Sequence, residues 1–529
     1  MTMDADSNGD DARVDPATPK NRDHTSDDRP HGDTPTIDRA ASFVRLVHPF
    51  LFDSASFLER CRAVEGATWS GDRGAFTVWE ANPPEQPEWH LLPHVARYVA
   101  SDGGDTEAGA GARFWRLQSA ALESRAGLLN SATWTAIWHR GEERFRLEGV
   151  ELLLFGVGVG VLTLCTRPRS AHPDLWHDFI HFGRYLRGPS AIKIRVVRQT
   201  RSGSEEPFFP DPAGGSARFD PQGRGYLGEI VTALVSTATV VGEGADWFEK
   251  TFASSLLIPY AALYVDGLPG DETPERVYRA RNLFYAAQLL HPSEEDRRLD
   301  GHPALLPFGS RIWLACSVEG GTFLAFDAPQ HDFWRKRLPD HLANEYFLLF
   351  LLALHQRLAL MALSDEVAGG WPMTPRGNND ERRERAFREI RDRLLAFTAR
   401  SYFAQVMQRE HHHRVYRRWL EVFQIERLYT EVSAEVREMF EYSLLLRTER
   451  IATLQQEAAE RDRARQERVA LLERRLGQLA FIFGAPGLVV GFLGATGGVE
   501  WTTALELTLA GLLVGIVSLL AVTVVGGRH

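Results

Sequence analysis

The most distinctive pattern in this sequence is a pair of uncharged, apolar segments near its C-terminal end, Leu476–Val499 and Leu507–Gly527. Each has about 20 residues without a formal charge, enough to span roughly 30 Å of hydrocarbon as a helix. Neither segment has a polar face, which disfavours the alternative of two buried core helices. Two spanning helices joined by an outer loop at residues 500–506 predict a C-terminal two-helix transmembrane hairpin.

The residues that precede the first segment predict a long helix. Helix-forming sequence without a proline runs from Glu381 to Leu479, and Glu460–Arg468 is a run of mixed charges that i,i+4 pairs can stabilise. Apolar positions at near-heptad spacing are Leu444, Ile451, Leu454, Ala458, Val469, Leu472, Leu476 and Leu479. Residues 341–475 are therefore predicted to form a helical region that ends in a long stalk helix. Because one chain cannot cover this stripe, we expect a closed oligomer.

The first 340 residues mix strand-like and helix-like patterns. Residues 1–40 are polar and Asp-rich, which predicts a disordered acidic tail, and residues 41–340 predict an α/β cytoplasmic domain. Two strands are expected to join at Gly156–Gly160. These glycines do not form a dinucleotide loop, because strand-like residues rather than a helix follow them. A strongly apolar helix is expected at Tyr346–Val367.

Charges on either side of the two apolar segments predict their orientation. Arg474 and Arg475 immediately precede the first segment, and Arg528 follows the second. The residues between the segments have no Lys or Arg but include Glu500. Positive residues stay on the cytoplasmic side, so we expect a multi-pass protein of the inner (plasma) membrane with both termini cytoplasmic. Trp501 stands where an interfacial aromatic anchor belongs.

Composition narrows the function classes. The chain has 529 residues, 44% of them hydrophobic, and a net charge of −10, with basic residues interleaved among acids. That charge pattern gives no basic patch for nucleic acid. Three widely spaced cysteines fit a reducing compartment. No nucleophile–base arrangement, phosphate loop or tuned carboxylate pair is recognisable, so we expect a protein that is not an enzyme and needs no cofactor.

One helix carries candidate metal ligands. His177 and His181 are four residues apart, with Asp174 and Asp178 interleaved, so a divalent metal could bind one helical face. The alternative is an ordinary polar face opposite apolar neighbours, and the absence of a recognisable third ligand favours it. The consecutive His411–His413 point in three directions on a helix and cannot share one ion. A solvated or interface role is expected for them.

The end of the first apolar segment resembles the CorA-type magnesium transporter superfamily. That family has a proline in its first span and ends the span with Gly-x-x-Gly-Met-Asn. Here Pro486 is followed by Gly491, Gly494, Ala495 and Thr496, one residue closer to the proline. The order of cytoplasmic domain, long helix, span, short outer loop and second span also looks like this family.

The resemblance implies a homopentamer whose first spans line a central pore. Gly491, Gly494, Ala495, Thr496 and Glu500 would then form the pore and selectivity loop, repeated around the ring. Rings of oxygen and carboxylate groups attract cations without stripping their water, as Mg²⁺ demands. The implied function is an oligomeric divalent cation channel or transporter gated by its cytoplasmic domain. Its partners would be membrane lipid and copies of itself, and Mg²⁺ or another divalent cation would be substrate or regulator.

The sequence departs from the family at one informative place. Ala495-Thr496 stands where the family has Met-Asn, and a threonine hydroxyl is shorter than an amide and lacks its paired donor and acceptor. This departure leaves a second class of function open. A CorA-like membrane effector or signalling protein, for example in antiviral defence, would use its cytoplasmic domain to sense a ligand or partner.

Overall fold

The computed structural model describes most of the chain between residues 35 and 526. The described residues are 35–71, 74–83, 90–99, 111–118, 132–139, 141–185, 191–199, 205–207, 224–228, 231, 256–267, 305–309, 311–370, 380–495 and 501–526. They belong to two compact units. The first, called the body below, comprises Met1–Trp371 and Asp392–Ser433, and the second comprises Pro372–Arg391 and Ala434–His529.

The body is built on one large sheet. Its strands are β1 Thr36–Ile37, β2 Phe43–Leu51, β5 Trp79–Ala81, β6 Ala112–Leu117, β7 Ala132–Trp138, β8 Gly141–Phe155, β9 Val159–Pro168, β10 Lys193–Gln199, β11 Glu205–Pro207, β12 Arg224–Tyr226, β13 Ile258–Asp266, β14 Leu305–Gly309, β15 Ile312–Ser317 and β16 Gly320–Phe326, while β3 Thr68–Gly71 and β4 Gly74–Thr77 pair separately. Along the main path the order is β11-β10-β7-β8-β9-β2-β13-β16-β15-β14.

The pairing corrects the predicted α/β layering. Among the described strand pairs, β13 with β16 is parallel and the others are antiparallel. The coarser expectation of a mixed sheet domain followed by a long helical region is confirmed. Antiparallel neighbours need only a short turn, whereas parallel ones need a crossover connection. Short turns at the ends of β7, β8 and β15 therefore replace the crossover helices that an α/β fold would use.

The predicted strand pair at the glycines is confirmed as the hairpin of β8 and β9. Its ten paired positions run from Phe145 with Pro168 to Phe155 with Val159. Gly158 has φ 89°, and a Cβ there would lie 2.5 Å from the backbone oxygen of Phe52. Only glycine fits a position that combines positive φ with so close a backbone contact.

Strand β2 occupies the middle of the sheet although it comes near the start of the chain. It pairs with β9 on one side and β13 on the other. Eight of its nine residues are buried, as expected for a strand covered on both faces. Ordered structure begins before the expected boundary at residue 40. Asp38 accepts a hydrogen bond from Arg335 at 3.0 Å. The same guanidinium donates to the carboxylate of Asp266 at 2.6 Å.

Helices pack against the sheet in the body and form the described part of the second unit. They are α1 Phe57–Gly66, α2 Pro93–Val99, α3 Pro173–Gly183, α4 Leu338–Ala343, α5 Glu345–Gly370, α6 Asp380–Arg400, α7 Glu410–Val422, α8 Ile425–Ala495 and α9 Trp501–Gly526, with a 3-10 turn at Ser54–Ser56 and a π turn at Phe333–Arg337. The apolar helix expected at Tyr346–Val367 is α5, which is confirmed. Among helices whose side chains the structure describes throughout, Phe333–Gly369 is the one stretch long and apolar enough to cross a membrane, and 78% of its most apolar window is buried.

The helix-forming sequence after Glu381 is interrupted once before the stalk helix. Residues 401–409, between α6 and α7, are not helical. Val406 and Met407 are fully buried there, and Met407 forms an isolated bridge with Leu91. The amide of Leu92 also donates to the carbonyl oxygen of Val406 at 2.9 Å. Burial and backbone hydrogen bonding within the body override the local helix propensity of this segment.

The second unit contains the long helix that the heptad spacing predicts. Helix α8 is 71 residues long and includes the whole predicted stalk helix, Val432–Leu479. Arg391 lies over the ring of Phe440 at 5.1 Å within this unit. Stalk positions Leu454, Leu472 and Leu476 are each more than half exposed. In the described part of one chain, therefore, the apolar stripe has no cover.

Candidate functional site

Three helices of the body meet at one carboxylate. Glu345 begins α5, His341 lies four residues earlier on α4, and His412 comes from α7. The Nδ1 atom of His341 is 3.0 Å from Oε1 of Glu345, and the Nε2 atom of His412 is 3.0 Å from Oε2. Each carboxylate oxygen therefore has its own imidazole partner. The pair of contacts joins α7 to the start of α5 across 67 residues of sequence.

This carboxylate is buried and stays ionised. Glu345 is 5% exposed and His412 is 2% exposed. Burial opposes ionisation of Glu345, but the hydrogen bonds and charges of His412 and His341 outweigh it, so the pKa of Glu345 lies below its ordinary 4.5. The position at the first turn of α5 also places the negative charge at the positive end of the helix dipole.

A cavity of about 260 Å³ opens beside this cluster. Strand β14 contributes Leu306, Pro307 and Phe308 to the lining, and Phe333 and Leu338 add to these apolar side chains, which are called the apolar wall below. Helices α4, α5 and α7 contribute polar side chains, which are called the polar wall below. The polar lining residues are His341, Glu345, Tyr346, Arg409, His411, His412 and Arg414. We call this space the Glu345 cavity.

Positive groups predominate on the polar wall of the Glu345 cavity. Arg409 donates to Nε2 of His90 at 2.7 Å, so its partner is an imidazole rather than a carboxylate. Arg414 is exposed and has no ion pair among the described residues. Burial lowers the pKa of His411, and the charges of His412 and Arg409 lower it further.

Polar residues in the middle of α5 have structural partners instead. His355 stacks on Phe155 with 4.2 Å between ring centroids. The Nε2 atom of Gln356 donates to the carbonyl oxygen of Ser401 and to the hydroxyl of Tyr416, each at 3.0 Å. These contacts hold the irregular segment 401–409 against α5. Buried polar groups with such partners are expected in a core.

The predicted metal ligands on α3 lie close together but are used differently. The rings of His177 and His181 are nearly parallel, 6.2 Å apart. Asp178 accepts from the indole of Trp138 at 3.1 Å and contacts Nδ1 of His177 at 3.2 Å. Asp174 stands in the first turn of the helix. Among the described residues, no group of three or more His, Cys, Asp or Glu side chains is placed to hold a metal ion.

The predicted pore residues lie at the end of α8 and beyond it. Gly491, Gly494 and Ala495 belong to the last turns of this helix, which continues through the position of Pro486. Thr496 and Glu500 lie outside the described residues. Trp501, the expected membrane anchor, is the first residue of α9. Their roles in a pore remain predictions.

Sequence reasoning missed the Glu345 cavity. The solvated or interface role expected for His411–His413 is wrong for His412, which is buried against Glu345. The expectation that the three histidine side chains point in different directions is correct, since His411 is exposed and His413 is half-buried. The i,i+4 spacing of His341 and Glu345 was available as a local signal. Nothing local marks a contact between Glu345 and His412.

Comparisons with models of known protein families and with curated proteins found no match for this chain.

Proposed function

We propose that this chain is a CorA-like membrane protein, an oligomeric divalent cation channel or transporter that its body gates. One observation carries the proposal: the last two helices expose large apolar side chains. On α8, Phe481 is 74% exposed, and on α9, Leu509 and Val514 are 58% and 66% exposed. Exposed apolar surface of this extent needs a cover.

The geometry of α9 favours lipid as part of that cover. The helix has 26 residues, or about 39 Å at 1.5 Å per residue, longer than the roughly 30 Å of a bilayer core. Leu509 and Val514 are five positions apart, so they face about 140° away from each other. A single partner helix would cover one face of α9, whereas a bilayer covers all of its faces. This supports the predicted hairpin at residues 476–499 and 507–527.

The exposed apolar positions of the stalk support the proposal of an oligomer. Its near-heptad leucines are exposed along α8, and packing against copies of the same helix would bury them. The resemblance to CorA-type transporters sets the expected number at five. In such a ring Thr496 and Glu500 would surround the outer mouth of the pore, where five carboxylates raise the local cation concentration.

The test is divalent cation flux into liposomes that contain the full chain, at fixed ionic strength because salt screens the ring of carboxylates. Glu500→Gln should lower Mg²⁺ flux about tenfold or more while the oligomer stays intact, and Thr496→Ala should lower selectivity. Matched controls are Glu473→Gln and Thr502→Ala, both at exposed positions outside the proposed pore mouth. Wild-type protein that passes no divalent cation under any condition would end the transporter proposal.

Topology is tested separately. A reporter fused after His529 should behave as cytoplasmic, and one inserted at Gly498 as external, because positive residues flank the spans on one side. An external C-terminus would contradict the hairpin, whatever the flux experiment gives.

The Glu345 cavity favours a second candidate, a membrane effector whose body senses a ligand, for example in antiviral defence. Flux that appears only when a small molecule occupies the body would favour the effector. Rescue of a magnesium-requiring strain by the unliganded protein would favour the transporter. A neighbouring gene for a nucleotide second-messenger synthase would also point to the effector.

A further inference from the structure

We propose that the Glu345 cavity is a binding site for a small organic anion, a carboxylate or phosphate carried on an apolar ring. Its lining combines two kinds of chemistry. Leu306, Phe308 and Phe333 offer apolar surface, and Arg409 and Arg414 offer guanidinium groups to the same space. Sites of this kind, apolar with a few convergent polar groups, are typical of ligand pockets.

The charges select an anion rather than a cation. The Glu345 carboxylate in the cavity has both oxygens engaged, one by His341 and one by His412. Its two oxygens therefore already have hydrogen-bonding partners, and the other formally charged side chains of the lining, Arg409 and Arg414, are both cationic. The guanidinium of Arg414 has no ion pair in the described part of the chain, and the fork geometry of a guanidinium suits the two oxygens of a carboxylate or phosphate.

The apolar wall selects a ring. Phe333 is 40% exposed and lines the cavity, and Trp334 packs edge-on against it with 5.2 Å between ring centroids. Phe308 packs edge-on against Tyr346, with 5.5 Å between ring centroids, so the lining offers several aromatic rings. Aromatic faces and edges favour flat, apolar groups in offset or edge-on contact.

The volume limits the size of the ligand. About 260 Å³ lies just below the roughly 300–1,000 Å³ range of drug-sized sites. One or two fused rings with one anionic group fit this space, and a larger ligand would extend into solvent past Arg414.

A ligand here would bridge elements that are distant in sequence. Strand β14, the start of α5 and helix α7 each contribute to the lining, and two residues separate the end of α7 at Val422 from the start of α8. Binding as such is independent of membrane insertion. A regulatory use of the bound anion rests on the function proposed above, so binding and flux are measured separately.

The test is calorimetric titration of the full chain in detergent micelles with four probes: 1-naphthyl phosphate, 1-naphthoate, 1-naphthol and inorganic phosphate. At least one of the two naphthyl anions should bind about tenfold more tightly than both 1-naphthol and inorganic phosphate, because only the anions satisfy both walls. The phosphate and carboxylate arms distinguish which anionic group the site prefers.

Variants locate the site. Arg414→Gln should weaken binding of the preferred anion about tenfold, and Phe333→Ala about fivefold, with unfolding temperatures unchanged because both side chains are exposed. Arg417→Gln, an exposed arginine of the same helix that does not line the cavity, should change the affinity less than twofold. Absence of binding by both naphthyl anions, equal binding of 1-naphthol, or equal losses in Arg414→Gln and Arg417→Gln would each overturn the proposal.

Discussion

Helices α5 and α9 have the same length and similar composition but opposite surroundings. Each has 26 residues, and both are mainly leucine, alanine, valine or phenylalanine. In α5, Leu349, Phe350 and Leu352 are completely buried in the body, whereas in α9 Val514 is 66% exposed. An apolar helix must avoid water, but composition alone does not say whether protein or lipid covers it.

Polar residues in the middle of α5 explain the difference. Gln356 bonds two groups of the body, and Arg357 donates to the carbonyl oxygen of Phe423 at 3.1 Å. Such partners are available only because the surrounding body provides them. The comparable centre of α9 carries no charged residue between Glu506 and Gly526. A helix without charged groups in its middle is suited to hydrocarbon, where an unpaired charge is costly.

The largest effect expected from this contrast comes from placing a charge in each helix. Leu352→Arg should prevent folding of the body, because an unpaired charge buried there costs several kcal/mol. Val514→Arg should leave the body folded and reduce membrane integration, since Arg at the centre of a spanning helix costs about 2.5–3.5 kcal/mol. Circular dichroism and alkaline extraction of membranes measure the two outcomes. If Val514→Arg unfolds the body and stays membrane-bound, the contrast between the helices is wrong.

Removing apolar volume should give a smaller but clear difference. Leu352→Ala should lower the free energy of unfolding of the body by about 2–5 kcal/mol, because it leaves a cavity in a fully packed position. Leu513→Ala, at a position 62% exposed, should change it by less than about 0.5 kcal/mol. Urea unfolding of the full chain, followed by tryptophan fluorescence, measures both. Equal losses would show that the two helices are buried alike.

The buried imidazole of α5 should make the body sensitive to acid. Burial lowers the pKa of His355 to about 3, so the folded state keeps this ring neutral while the unfolded chain binds a proton below about pH 6.5. The contribution of the neutral His355 ring to the free energy of unfolding is fully present above pH 6.5. It is lost as the pH falls towards 3, by about 1.4 kcal/mol per pH unit. His355→Phe should reduce the slope of unfolding free energy between pH 6 and 4.

The control for this pH experiment is the neighbouring Phe403→Leu. The ring centroids of Phe403 and His355 are 6.4 Å apart, so this change removes packing beside His355 without removing a titratable group. This variant should lower stability at every pH and leave the slope as in the wild type. If the slope of His355→Phe equals the slopes of the wild type and of Phe403→Leu, the acid sensitivity belongs to other groups. One such group is His48, whose pKa is lowered by burial to about 4.

The smallest effect concerns the hydrogen bonds of Gln356. Gln356→Met keeps much of the side-chain volume but leaves the carbonyl oxygen of Ser401 without this donor, which should cost about 1–3 kcal/mol. Gln455→Met, at an exposed position of α8, is the matched control and should be neutral within about 0.5 kcal/mol. Chemical unfolding measures both, and a neutral Gln356→Met would remove the structural role given to this residue.

Local patterns predicted the elements whose causes are local. The hairpin of β8 and β9 follows from alternating apolar residues on either side of a glycine string, and α5 from a long apolar run. The break at residues 401–409 was not predictable in this way. Its cause is the burial of Val406 and Met407 and the bridge to Leu91, which is more than 300 residues away in sequence.

The same reason explains why the candidate site was missed. His341 and Glu345 are neighbours on the chain, but the contact that buries the cluster comes from His412 on another helix. The antiparallel arrangement of the sheet was missed for a related reason. Apolar strands separated by helix-like segments are compatible with crossovers or with hairpins, and only the pairing partners distinguish the two.

The central place of β2 has a consequence for biosynthesis. Val44 pairs with Thr166 and Val47 pairs with Ile258, so this strand leaves the ribosome long before either neighbour exists. At about 5–20 residues per second, its second edge waits roughly 10–40 s for β13. During that interval an apolar strand with open hydrogen-bonding groups can pair with other chains. Nascent chains and fragments that end before β13 are therefore the forms of this protein that need a chaperone most.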